Sequence, residues 1–173
     1  MKILRLLFIP LIITLIFSCS VQIKKTYESE KSTLTNNSKN KDSILYVIAS
    51  TSKTFKERKE AINQMTFGPS LTKIAKTDKD PEIRKIAVSK ITFGPSLMDI
   101  AKTDKNADIR KLVVSKMTFE PSLTKIAKTD QDPEVRKIAI SKITFRPSLA
   151  DIAKKDKSAD VRKFALERIN QLK

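Results

Sequence analysis

One sentence of 26 residues is written four times in this chain. Thr66–Ile91 reads TFGPSLTKIAKTDKDPEIRKIAVSKI, and close copies start at Thr92, Thr118 and Thr144 with no gap between them. A fixed period of this length restricts the fold severely. A unit so small cannot bury its own apolar face, so each must lean on the next, and the chain must form a row.

Each unit predicts two short helices. The first opens at Pro69, Pro95, Pro121 or Pro147, a residue suited to a helix start because its missing N–H would be unpaired there anyway. Leu71, Ile74 and Ala75 then mark one helical face. The second helix opens after Asp80, Asn106, Asp132 or Ser158, each able to accept a hydrogen bond from a first-turn N–H. An acid two residues on (Glu82, Asp108, Glu134, Asp160) suits the positive end of the helix dipole. Ile83, Ile86, Ala87 and Ile91 are the expected buried stripe. Helices this short are marginal alone in water, so packing between units must hold them.

The pattern reaches upstream in a weaker form. Stepping back one period from Leu71, Ile74 and Ala75 gives Leu45, Ile48 and Ala49, and Thr54 takes the place of Asp80. A divergent first unit is therefore expected over 43–65, followed by units 66–91, 92–117, 118–143 and 144–169 and a C-terminal cap over 170–173. Glu60 stands where later units have Ile86, as suits an outer face. These expectations make residues 43–173 an all-α superhelix of about five short helix pairs, with one continuous core and no need of a cofactor.

Before the repeats come two other segments. Lys2 and Arg5 precede an apolar run of twelve positions, Leu6–Phe17, too short for a membrane span and normal for a signal-peptide core. The sequence Leu15-Ile16-Phe17-Ser18-Cys19 resembles a bacterial lipoprotein signal, with residues 1–18 as the signal peptide. That resemblance implies cleavage before Cys19 and lipidation of its thiol. The alternative is an ordinary signal or an uncleaved anchor in which Cys19 is incidental. Cys19 is the only cysteine, so no internal disulfide can form. Residues 19–42 are polar and read as a flexible tether, reaching roughly 25 Å if they behave as a random coil. Ser20 lacks the aspartate that marks inner-membrane retention in enteric lipoproteins. An envelope location follows, with the outer membrane favoured where there are two.

The repeat itself resembles the HEAT-like family. The residues that carry the likeness are D-x-D-P-E-I-R-K-I-A in the first full unit, with an aspartate in the turn and an arginine six residues later: Asp78 and Arg84, Asp104 and Arg110, Asp130 and Arg136, Asp156 and Arg162. The resemblance implies a right-handed superhelix in which these residues form a hydrogen-bonded ladder along the stack, a structural role that suits the planar fork of arginine. In the first unit Ser52 replaces the aspartate, which leaves Arg58 as a free cation. The variant leucine-rich repeat, also a short helical solenoid, is the other candidate relative.

The residue inventory narrows the chemistry. Histidine is absent and the one cysteine is assigned to lipid. His-based triads, Cys–His dyads and His- or Cys-ligated zinc are thereby excluded. Gly68 and Gly94 precede prolines and build no phosphate loop. The recurring carboxylates belong to caps and turns. The expectation is a non-enzyme with no cofactor and no metal.

Binding is what remains. The formal charge is +16 for the whole chain and +14 once Lys2 and Arg5 leave with the signal. The excess is arranged in columns. Lys85, Lys111, Lys137 and Lys163 form one on the second helices. Lys90, Lys116, Lys142 and Arg168 form another, beside Ser89, Ser115 and Ser141. Lys76, Lys102, Lys128 and Lys154 form a third on the first helices. In HEAT-like solenoids second helices line the concave face, so the first two columns are candidates for a basic binding groove; the plainer reading is a repeated solvated face. Phe67, Phe93, Phe119 and Phe145 make a further column, expected to pack in the core. The expected function is a monomeric, membrane-tethered scaffold that holds a protein partner, an acidic one among the candidates, on its concave face. Binding of an acidic polymer or lipid headgroups through the lysines is the first alternative, and an accessory role to an enzyme the second. Nucleic acid is not an expected partner, since export removes it.

Overall fold

The computed structural model describes residues 40–172. The expected signal segment, Cys19 and the tether as far as residue 39 lie outside them. Among the described residues there are ten helices and no strand. Helix α1 covers 40–51, so residues 40–42, assigned above to the tether, are already helical. It is followed by α2 (Phe55–Gln64), α3 (Gly68–Thr77), α4 (Pro81–Lys90), α5 (Gly94–Thr103), α6 (Ala107–Lys116), α7 (Glu120–Thr129), α8 (Pro133–Lys142), α9 (Arg146–Lys155) and α10 (Ala159–Gln171).

The capping chemistry accounts for the boundaries. Asp80 accepts from the N–H of Glu82 at 2.9 Å, Asn106 from that of Asp108 at 2.8 Å and Asp132 from that of Glu134 at 2.8 Å. Ser158 and Thr54 do the same for Val161 and Glu57. The first helices start differently. A phenylalanine in extended conformation (φ −80°, ψ 110° at Phe67) occupies the cap position and offers no side-chain acceptor. Proline at the second helical position lowers the number of N–H groups needing one.

Successive helices pack in pairs, and pairs stack on pairs. Odd-numbered helices form one layer (α3, α5, α7, α9) and even-numbered helices the other (α2, α4, α6, α8, α10), with the more extensive contacts between units in the even layer. One apolar core runs through the row from Leu45 to Ala165. This is an α-α solenoid. The stripe on the second helices differs from expectation by one position. Ile83, Ala87, Val88 and Ile91 are buried, whereas Ile86 is half-buried. Val88 and its equivalents Ile62, Val114 and Ile140 are fully enclosed in the core, while Leu166, the equivalent in the last helix of the row, is 53% exposed. In α1, Leu45 and Ala49 are buried but Ile48 is 38% exposed.

Candidate functional site

The arginines of the ladder reach forward, not sideways. Arg84 donates through Nε and Nη2 to the carboxylate of Asp104 at 2.8 and 3.0 Å, Arg110 to that of Asp130 at 2.9 and 2.9 Å, and Arg136 to that of Asp156 at 2.8 and 2.8 Å. Each is therefore a bidentate pair between successive units. The remaining fork nitrogen returns to the carbonyl of the same unit's aspartate, as Arg110 Nη1 does to Asp104 at 3.0 Å. Each aspartate also accepts the N–H two residues on, fixing the turn. Hydrogen bonding to Asp104 and to Asp130 raises the pKa of Arg84 and Arg110 respectively, against the opposing effect of burial. Burial pushes the Asp156 pKa up, but Arg136 and the Ser158 N–H prevail and hold it below the usual range.

Arg58 is not free. It is 5% exposed, its Nε lies 3.3 Å from Asp78 Oδ2 and its Nη2 lies 3.5 Å from Asp80 Oδ2. The missing aspartate at Ser52 is immaterial, because the partner comes from the following unit. Arg162 shows the complement: it donates to the Asp156 carbonyl at 2.8 Å and forms no ion pair among the described residues. The ladder is structural along its length.

The lysine columns also have work within the stack. Lys90 Nζ donates to the carbonyls of Ile62, at 3.0 Å, and Asn63. Lys116 donates to the carbonyl of Ser89, Lys142 to that of Ser115, and Arg168 to that of Ile143 at 3.2 Å. Each thus caps carbonyls at or near the C-terminal end of the preceding even helix, where a cation also meets the negative end of the dipole. Desolvation at this position lowers the Lys116 pKa. The adjoining Ser89, Ser115 and Ser141 hydroxyls donate to backbone carbonyls three residues earlier in their own helices. In the other even-layer column each lysine has an acid one turn away: Lys85 with Glu82 at 4.0 Å, Lys111 with Asp108 at 3.2 Å, Lys137 with Glu134 at 2.9 Å and Lys163 with Glu167 at 4.0 Å. In the odd layer Lys76 pairs with Asp99 at 2.5 Å and Lys128 with Asp151 at 2.6 Å. For Lys102 the equivalent position in the next unit is Lys125, a cation.

The phenylalanine column departs from expectation. Phe67, Phe93, Phe119 and Phe145 are 46%, 64%, 66% and 59% exposed. Their extended backbone turns them outward at the links, while the residues two before them (Met65, Ile91, Met117, Ile143) fill the core. They form a repeated aromatic edge.

Beside that edge lies a feature the sequence reading missed. The position that opens α3, α5, α7 and α9 runs Gly68, Gly94, Glu120, Arg146, and one period before Gly68 stands Asp42, inside α1. Asp42 is buried and accepts from the Thr66 N–H at 2.9 Å and hydroxyl at 2.8 Å. Glu120 accepts from the Thr144 N–H at 3.0 Å, the Thr144 hydroxyl at 2.8 Å and the Phe145 N–H at 2.5 Å. The Phe145 N–H is the chief reason its pKa falls below the usual carboxylate range. At Gly94 no such side chain exists. A cavity of about 480 Å³ opens there instead, walled by Leu97, Met98, Met117, Thr118 and Phe119, with Lys102 at its margin. The signal in the sequence is a column in which glycine, glutamate and arginine replace one another from unit to unit.

Among the described residues there is no cluster of acids or cysteine able to hold a metal ion, and no helix long and apolar enough to cross a membrane. No protein-family model matches the chain, and no curated protein matches it in sequence.

Proposed function

We propose that this chain is a non-catalytic scaffold, exported and lipid-anchored through Cys19, that holds a protein partner along the aromatic edge of its solenoid. The carrying observation is the exposure of Phe67, Phe93, Phe119 and Phe145 at one-period intervals. Aromatic side chains left outside a well-filled core, in register, are suited to anchor a partner. This reading moves the contact surface from the lysine columns of the even layer, whose amino groups already have carbonyl or carboxylate partners. Those partners also weigh against an acidic polymer as ligand.

The test is a crosslinking pull-down from the native envelope with wild type and Phe93→Ser/Phe119→Ser. Neither side chain is in the core, so the variant should melt within about 0.5 kcal/mol of wild type. It should also lose the crosslinked partner. Retention that collapses with added salt would transfer the function to polyanion binding. Cys19→Ala should leave the chain unanchored; a cleaved chain that stays on the membrane would refute the lipid assignment.

A further inference from the structure

The three donors at the link before each odd helix form a carboxylate cradle, and the protein shows it occupied. At Thr144 and Phe145 the cradle holds the side chain of Glu120, and at Thr66 it holds that of Asp42. At Thr118 and Phe119 the same backbone recurs, but the residue one period before Glu120 is Gly94. A Cβ built on Gly94 meets nothing within 4 Å, and the glycine has no positive φ to explain it. The Thr118 N–H, the Thr118 hydroxyl and the Phe119 N–H have no partner among the described residues. They are not the first-turn donors of α7, for the Ser122 and Leu123 N–H groups already bond the Phe119 carbonyl at 3.1 and 3.2 Å.

We propose that the cavity at Gly94 receives a glutamate side chain from an extended segment of the partner, whose carboxylate takes the three donors that Glu120 takes one unit later. This deepens the scaffold proposal and rests on it. Four features fix the chemistry. The donor set matches a carboxylate and is filled by one in the same fold. Charge favours an anion: Lys102 and Lys116 border the cavity, Asp99, which also lines it, is neutralised by Lys76, and Lys102 has Lys125 where Lys76 has that acid. Glutamate is the acid that the chain itself seats on all three donors, at Glu120. The wall of Leu97, Met98, Met117 and Phe119 selects apolar neighbours on either side of the acid. Sites of this size commonly combine an apolar lining with a few placed polar groups.

The test uses the full chain in detergent micelles, labelled for amide NMR, and three peptides. These are acetyl-Leu-Glu-Leu-amide, its Gln counterpart, and acetyl-Leu-Gln-Leu with a free C-terminal carboxylate. The Glu peptide should shift the Thr118 and Phe119 amides downfield, saturably, with Kd on the order of 1 mM. The Gln amide should bind at least tenfold more weakly, since it loses the charge-assisted bonds. Gly94→Glu should abolish binding by filling the cradle from within, while Gly94→Ala should retain it. If Gly94→Glu does not fold, Thr118→Val, which removes one donor, should weaken the Glu peptide at least threefold. Equal binding of the Glu and Gln amides, or shifts elsewhere only, would overturn the proposal. So would tighter binding of the free C-terminal carboxylate, which would assign the cradle to chain ends. The scaffold reading is scored separately by the pull-down with Phe93→Ser alone, a side chain that does not line the cavity.

Discussion

Arg110→Ala is the sharpest test of how this stack is held. Arg110 is 3% exposed, and its fork makes two bonds of 2.9 Å to Asp130 and others of 3.0 and 3.3 Å to the carbonyls of Asp104 and Lys105. Removing it leaves the Asp130 carboxylate, whose side chain is 6% exposed, with only the Asp132 N–H at 2.9 Å. Stripping one partner from a buried pair costs about 3–5 kcal/mol, because the other charge stays desolvated. For a domain of this size that is a fall in Tm of roughly 10–20 °C. The assay is thermal unfolding followed by circular dichroism, with Lys111→Ala beside it. Lys111 bonds only an exposed acid one turn away, so its loss should stay within about 0.5 kcal/mol. Arg110→Met/Asp130→Leu should recover most of the deficit, since no charge is then left alone. The pair joins units 92–117 and 118–143, so in a row governed by nearest-neighbour terms the single variant should also broaden the melt. Arg110→Ala melting within about 1 kcal/mol of wild type would refute the argument. So would equal losses in Arg110→Ala and Lys111→Ala.

Three further outcomes follow from the same geometry. Lys116→Met should cost about 1 kcal/mol in a urea titration, because the apolar stem is kept and the carbonyl cap on Ser89 is lost. Gly94→Ala should raise stability by about 0.4–1 kcal/mol, since the glycine sits at a helix start in open space with ordinary φ and its loss mainly restricts the unfolded chain; a melt below wild type would count against this. Acid should loosen the odd layer: bonds from Lys128 and Lys155 bring the Asp151 pKa down to about 2, and Glu120 is also lowered. Their stabilisation is complete above their unfolded values of about 4 and fades as pH falls through the folded ones, so Glu120→Gln with Asp151→Asn should flatten stability between about pH 5 and 2.

How much of this was legible depended on how local the cause was. The period, the N-caps at Asp80, Asn106, Asp132 and Ser158, and the Asp and Arg positions are set by chemistry within a few residues, and they stand in the sequence in four copies. What was misread involved a neighbour one period away. Arg58 looked free because Ser52 replaces the aspartate of its own unit, but its partner is Asp78 of the next. Lys116 looks like a solvated cation until its stem is laid across the preceding even helix to the Ser89 carbonyl. The joint before each first helix suggested a core place for the phenylalanines. Their place immediately before a helix start, next to core positions already filled by Met65, Ile91, Met117 and Ile143, turns them out.

The same logic bears on where recognition can reside in a repeat. Many positions that repeat faithfully serve the stack itself, as the Arg ladder and the lysine caps show. A site that distinguishes one part of the row from another has to come from a column that does not repeat. The column Asp42, Gly68, Gly94, Glu120, Arg146 meets that condition, and it is one where the protein closes its own cradle at Asp42 and Glu120 and supplies no carboxylate at Gly68 and Gly94. Installing glutamate at Gly94 would make the third link resemble the fourth. If that change raised stability through new bonds to Thr118 and Phe119 while partner capture fell, the two properties would be shown to compete for the same three donors.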